Sequence, residues 1–260
     1  MDLFLKDKVI IVTGGAKGIG EGISNALAAE GAIPAIIGRS DEDNRQTAEK
    51  IKGQTGITPF TVVAELTQPN DCENAVKMVL EKFGRIDGIV NNAGANDGVG
   101  LEHGNYADFI ASLHKNMVHY YLIAHYALPA LKQSNGAIVN ISSKTADTGQ
   151  GNTSGYAAAN GGRNALTREW AVELLKYNIR VNAIVVAECW TPLYEKWIST
   201  QTNPEEKLKE ITSKIPLGNR MTTTEEIANT AVFLLSGRSS HTTGQIIYVD
   251  GGYVHLDRAL

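Results

Sequence analysis

Short runs rich in valine and isoleucine recur along the chain, separated by polar stretches with helical periodicity. The runs are VIIVT (9–13), IPAIIG (33–38), TPFTVVA (58–64), GIVNN (88–92), AIVNIS (137–142), RVNAIVV (180–186) and QIIYVD (245–250). Apolar residues in a row, rather than alternating with polar ones, mark strands covered on both faces, as in a parallel sheet. Helical patterns fill 18–30, 41–53, 69–83, 105–132, 154–176 and 223–236. Strand and helix alternate throughout. That order predicts an α/β fold: a single Rossmann-type doubly wound domain over 1–260, with a seven-stranded parallel sheet. The stretch 187–222 departs from the alternation. It follows the sixth strand, contains Pro192, Pro204 and Pro216, and carries a helical pattern over 193–213. It is expected to be a lid-like insertion near the strand ends.

Composition narrows the class without deciding it. A hydrophobic fraction of 43 % supplies a sizeable core for 260 residues. A net charge of −4 gives no pull toward nucleic acid or an anionic membrane surface, so neither is expected as a partner. Cys72 and Cys189 make no disulfide framework and suit a reducing, cytoplasmic compartment. The opening MDLFLKDKVIIVTGG mixes acidic and basic residues and has no long apolar run, so neither a signal peptide nor a membrane span is expected there. His114, His119 and His125 do not repeat on one helix face, and no catalytic metal is expected.

The first strand runs directly into TGGAKGIG (13–20), where Gly14, Gly18 and Gly20 precede a helix. Glycines there permit a tight turn and close approach of a diphosphate, and the helix N-terminus offers free N–H groups and a positive dipole end. Lys17 and Ile19 lie inside this turn and belong to the same candidate site. The plainer reading, a tight strand–helix turn without a ligand, is much the weaker in this context. The second strand should end at the adenosine ribose, where an acidic residue selects NAD. The sequence has Gly38 in that place, followed by Arg39. With Lys17 nearby, two cations and no carboxylate favour a 2′-phosphate and hence NADP. In the alternative, Arg39 stacks on the adenine and Asp41 reaches the ribose, which selects NAD. Glu65 and Leu66, just after the third strand, are candidates for the adenine edge.

TGGAKGIG, NNAG (91–94), Asn116, Ser143 in NISS, and Tyr156 thirteen residues later form an ordered set that resembles the short-chain dehydrogenase/reductase family from end to end. Asp250, Gly251 and Gly252 match the same pattern. NISSKTADTGQGNTSGY, LTREWAVEL and GYVHLDRAL are similar to the family's L-fucose dehydrogenase-like branch. The resemblance implies hydride exchange between a nicotinamide and a secondary alcohol or sugar. It implies Tyr156 as proton acceptor or donor, Ser143 as the hydrogen-bond partner of the substrate oxygen, and Asn116 as holder of a relay water. Asn92, Ala93 and Gly94 would turn against the cofactor, and Thr191 would contact the carboxamide. The resemblance further implies a homodimer or homotetramer paired through helices 105–132 and 154–176, with HLDRAL (255–260) reaching a neighbour.

Two departures stand out. The family pattern Tyr-x-x-x-Lys is here Tyr156-Ala-Ala-Ala-Asn160. The family lysine lowers the tyrosine's pKa and binds the nicotinamide ribose. Asn160 can still hydrogen-bond to a ribose but supplies no charge. A free tyrosine has a pKa near 10. A neighbouring cation moves such a value by about 1–3 units, so its loss would reduce the phenolate at neutral pH by roughly ten- to a thousandfold. Arg163 shares nearly the same helix face and has the length to reach back, although a solvent or subunit-interface position is the more ordinary one for it. Lys144, next to Ser143, is a second possible cation and a substrate candidate. The other departure is Val186-Ala187-Glu188, where the family usually has Pro-Gly. Glu188 beside Trp190 suits a sugar: the acid bonds hydroxyls and the indole stacks on a C–H face. In the plainer reading they are a surface acid and a packing tryptophan, and Trp197 is expected to be core of the lid. Two functions remain: a dehydrogenase impaired at Asn160, or a dinucleotide-binding protein with little chemistry.

Overall fold

The computed structural model describes residues 1–256. The end of the HLDRAL segment, residues 257–260, lies outside the described residues. Seven strands form one parallel sheet in the order β3-β2-β1-β4-β5-β6-β7. They are β1 (Val9–Thr13), β2 (Ile33–Gly38), β3 (Phe60–Val63), β4 (Gly88–Asn91), β5 (Ala137–Ser143), β6 (Arg180–Val186) and β7 (Ile246–Val249). The order reverses between β1 and β4, and parallel strands bring all their C-terminal ends to one edge. Ligands of open α/β sheets bind at that edge, beside such a reversal.

The strands alternate their side chains between two cores, because successive residues point to opposite faces. In β1, Val9 and Ile11 enter one core and Ile10 and Val12 the other. The first core is covered by α3 (Pro69–Phe83), α5 (His119–Ser134) and α6 (Ser154–Glu173), through Val76, Ile123 and Trp170 among others. The opposite face is covered by α1 (Gly18–Ala29) and α9 (Thr224–Leu235), through Ile23, Leu27, Ile227 and Ala231. Next to them, α2 (Asp41–Thr55) packs Ile51 against Ile36 and Ala28. Among the described residues no helix is long and apolar enough to cross a membrane.

Three expected elements differ in detail. The strand expected over 58–64 pairs only over Phe60–Val63, since Pro59 has no N–H to give the ladder. The helix expected over 105–132 is interrupted. α4 (Tyr106–Leu113) passes through a π turn at His114–Val118 before α5 begins. The pattern over 193–213 forms two helices, α7 (Pro192–Ser199) and α8 (Pro204–Thr212). The break at 200–203 follows from Pro204, which disfavours helix in the residue before it but suits the first helical turn after it.

Candidate active site

The C-terminal edge gathers the ends of β1, β4, β5 and β6. After Thr13 the chain enters the glycine turn, with Gly14 at φ 63° and Gly18 at φ 55°. Gly20 sits so close to the turn that a Cβ on it would lie 2.1 Å from the Gly14 carbonyl oxygen. No side chain caps the start of α1, so its first N–H groups face the turn unpartnered by a cap. The donor set and the glycine-only surface fit the diphosphate of a dinucleotide. Ile19 turns away and packs against the core behind the turn. Thr191 stands on the other side, with its Cγ2 3.3 Å from where a Gly18 Cβ would be. Its hydroxyl is the N-cap of α7, accepting from the Tyr194 N–H at 3.2 Å.

At the end of β2, Gly38 has no room for a side chain. A Cβ would meet Asn44 Oδ1 at 2.5 Å, and the Asn44 amide is fixed by donating to the Gly38 and Val62 carbonyls. A carboxylate is therefore sterically excluded from the position where one would hold a ribose. Lys17 is drawn to Asp43 at 2.7 Å, and the ammonium holds the Asp43 carboxyl below the usual range. Arg39 is exposed and, among the described residues, forms no ion pair. Glu65 is exposed and accepts from the Thr67 N–H and hydroxyl, while Leu66 is buried in the core.

Thr13 ties the first strand to the fourth. Its hydroxyl accepts from the Asn92 and Ala93 N–H groups at 2.9 and 3.1 Å, and Asn92 Nδ2 donates to the Thr13 and Gly14 carbonyls. Asn92, Ala93 and Gly94 thus lie directly against the glycine turn. Asn116, fully buried in the π turn, accepts from the Ala95 N–H at 2.8 Å and donates to the Ser112 carbonyl. Its side chain is spent on holding the NNAG turn. Its backbone carbonyl accepts from Arg163 Nε at 2.6 Å. The relay water expected on Asn116 would have to share that carbonyl with a guanidinium.

Ser143 ends β5 half-buried, and its Oγ accepts from the Thr145 N–H at 3.3 Å, leaving its own O–H to donate. Tyr156 is half-buried in the first turns of α6. Asn160, one turn on, is fully buried. Its Nδ2 donates to the Tyr156 carbonyl at 2.8 Å and its Oδ1 accepts from Arg163 Nη1 at 2.9 Å. Both ends of the amide are engaged inward, so the expected bond from Asn160 to a ribose is not available in this conformation. The expectation of an exposed or interfacial Arg163 is also corrected: it is 3 % exposed. Its backbone is fixed by a buried chain in which Asn91 donates to Asn140, Asn140 to Thr167, and Thr167 to the Arg163 carbonyl.

Past Ser143, Lys144 is buried and paired with Glu188, which follows β6. The Lys144 ammonium also lies 4.2 Å from the Tyr253 ring centroid. Tyr194 is hydrogen-bonded to Glu188, and burial first, then the Glu188 charge, pushes its phenol's pKa far up, keeping it protonated. Trp190 leans over Tyr194 at 6.3 Å between centroids and remains 39 % exposed. Trp197, expected in a lid core, is 44 % exposed and meets Tyr194 edge-on; Ile198 is the buried residue of this helix. Sequence reasoning singled out Lys144, Glu188 and Trp190, but not Tyr194, Tyr253, Thr13 or Asn44. The aromatics come from separate segments, and no spacing signals that they meet.

Residues 14–254 match the family model described as enoyl-(acyl carrier protein) reductase. The chain is 35 % identical to the L-fucose dehydrogenase of Bos taurus over 246 residues, covering 94 % of this chain and 88 % of that one. Among solved structures, the Cj0485 dehydrogenase is 50 % identical with a TM-score of 0.94, covering 100 % of this chain and 99 % of that one. The L-sorbose reductase from Gluconobacter frateurii, complexed with NADPH and L-sorbose, is 25 % identical with a TM-score of 0.94, covering 99 % and 100 %.

Proposed function

Because the chain belongs to the short-chain dehydrogenase/reductase family of NAD(P)-dependent oxidoreductases, we propose that it is an NADP-dependent dehydrogenase of a sugar resembling L-fucose, or of a comparable secondary alcohol. The observation that carries the substrate class is the Lys144–Glu188 pair next to Ser143 in the chain, with Tyr253 against Lys144 and Tyr194 against Glu188. A cation, a carboxylate and aromatic faces at the reactive edge offer donors, acceptors and C–H stacking to a polyhydroxylated ring. The names L-fucose dehydrogenase and L-sorbose reductase among the relatives point the same way.

When bound, a nicotinamide would supply hydride acceptance or donation at the carbinol carbon. The chain's own residues manage the oxygen. Tyr156 takes the hydroxyl proton in oxidation and gives it back in reduction, and the Ser143 O–H donates to that oxygen as charge builds on it. Gly14, Gly18 and Gly20 with the α1 N-terminus would hold the diphosphate; Asn92, Ala93, Gly94 and Thr191 would flank the nicotinamide half. Glu65 and Leu66 border the adenine. Segment 187–222 closes over the sugar as a lid, and the exposed Tyr121 on α5 and Val172 on α6 belong to a subunit interface.

Selection of NADP rests on Gly38, which excludes a carboxylate, and on Arg39, whose guanidinium is uncommitted. Arg39→Ala should weaken NADPH relative to NADH by about tenfold to a hundredfold in dissociation constant, since a hydrogen bond to a charged group contributes roughly 1.5–3 kcal/mol. Fluorescence titration of both cofactors checks this; an unchanged ratio would return the choice to NAD. Glu188→Gln tests the substrate class. It should raise KM for the sugar by about ten- to a hundredfold while a small secondary alcohol without further hydroxyls is oxidised at a similar kcat/KM. Equal losses on both substrates would count against a sugar subsite.

One observation favours a second reading, a dinucleotide-binding protein with little chemistry. The amide of Asn160 faces inward and adds nothing at the ribose. That reading requires Tyr156 to lack any cation.

A further inference from the structure

Among the described residues, Arg163 is a buried guanidinium without a carboxylate partner. Its three hydrogen-bond acceptors are neutral: the Asn116 carbonyl at 2.6 Å, the Ile141 carbonyl at 3.1 Å and Asn160 Oδ1 at 2.9 Å. Nη2 is buried with no partner and faces Gly94, where a Cβ would come within 2.7 Å of it. No carboxylate among the described residues forms an ion pair with this side chain. A buried charge left in this state is costly, and proteins ordinarily pair it. Arginine does not escape the cost by giving up its proton.

The acids and bases facing the guanidinium can be taken element by element. From α5, His119 is nearly fully buried and its pKa is pushed down to about 3, by burial first and by Arg163 second, so it is neutral. Tyr120, also on α5, lies under the guanidinium at 4.4 Å and donates its O–H to the Ile141 carbonyl. Burial pushes its phenol's pKa far up, so it stays protonated. From the end of β5, Lys144 is occupied with Glu188. From α6 itself comes Tyr156, which is half-buried and whose ring centroid is 6.0 Å from the guanidinium carbon. Asp97, on the segment after β4 that carries Gly94, is taken up by Ser112 and Lys115, and among these groups Tyr156 is the remaining acid.

We propose that Arg163 is the cation that stands behind the Tyr156 phenolate in this chain, a positioning residue that takes over the charge the family lysine carries. Asn160 then has a definite task. It bridges the two, donating to the Tyr156 backbone and accepting from Arg163, and so fixes the guanidinium where the charge is needed. The ribose-binding half of the lysine's work is not replaced, and the charge-supplying half is. This inference rests on the dehydrogenase reading for its consequence but not for its test.

The test is a spectroscopic titration of tyrosine that needs no turnover. The phenolate absorbance of the chain minus that of Tyr156→Phe isolates the Tyr156 phenol. Tyr177, which Lys132 foremost and Lys176 hold below the usual range, is common to both and cancels. Arg163→Gln keeps donors for the Asn116 and Ile141 carbonyls and removes the charge. It should move the midpoint of the difference titration to higher pH. Arg163→Lys restores a charge and should return most of that shift. Melting curves and NADPH titration identify variants that have not folded; if Arg163→Gln is among them, Arg163→Met is titrated in its place. A folded, uncharged variant with an unmoved midpoint overturns the proposal. So does failure of Arg163→Lys, folded, to return any of the shift. Where a substrate is in hand, the alkaline limb of kcat/KM should move with the same variants. Absence of turnover alone would instead count against the proposed function.

Discussion

Tyr156→Phe is expected to lower kcat for alcohol oxidation by about 10²–10⁴-fold, the usual contribution of a positioned acid–base group. The substitution removes one oxygen and leaves the ring. The ring's place near Arg163, the α6 backbone bond from Asn160 and the cradle for the cofactor all remain. Cofactor affinity and melting temperature should therefore change little, and the loss should appear in kcat. Steady-state kinetics beside NADPH titration measures both. Reduction, which needs the protonated phenol, should fall by a comparable factor, because the same oxygen serves both directions. A variant retaining more than about a tenth of wild-type kcat would show that the proton travels by another group.

Gly20→Ala is expected to abolish useful cofactor binding, raising the dissociation constant by about a hundredfold or more, with a loss of stability of about 1–3 kcal/mol from overpacking. Its new methyl would meet the Gly14 carbonyl oxygen at 2.1 Å, Asn92 Nδ2 at 2.7 Å and the Gly14 carbonyl carbon at 2.8 Å. Two of these are backbone atoms that cannot swing aside. The third is the amide that ties NNAG to Thr13 and Gly14. Relief of the clash must open the turn, displace Asn92, or both, and either change disturbs the cradle. Gly53→Ala in α2 is the control. Nothing lies within 4 Å of that position, and alanine in a helix is favoured by about 1 kcal/mol. Cofactor titration and thermal melting of the two variants separate a local clash from a general intolerance of alanine.

The fold was legible because its signals are local and repeated. Runs such as VIIVT and AIVNIS carry no polar alternation, so each identifies a strand covered on both faces, and their order with the helices leaves one topology class. What was misjudged came from finer conflicts. Pro204 marks a helix boundary, yet the helical pattern over 193–213 runs across it. The π turn at Asn116 has no composition signal; it becomes evident only where Asn116 meets Ala95 and Arg163.

At the site, the glycine turn, Ser143, Tyr156 and the Lys144–Glu188 region could be picked out by residue type and context. The position of Arg163 could not. Seven residues along a helix fix its direction from Tyr156 but not whether that face is solvent or interior. Only the packing of α6 against α5 and β5 closes it in. The asymmetry at Gly38 was likewise half legible. A missing carboxylate can be read from sequence, whereas the reason none can be accommodated is Asn44, six residues later and folded back onto the strand end.

The most direct measurement of the account is formation of reduced nicotinamide when the chain is mixed with NADP or NAD and L-fucose or a panel of secondary alcohols, from about pH 6 to about pH 11. The account predicts turnover with a sugar and preference for NADP. Tight cofactor binding with no reduction of NADP or NAD by any member of the panel, and no oxidation of NADPH by the corresponding ketones or lactones, would contradict it and leave a dinucleotide-binding protein.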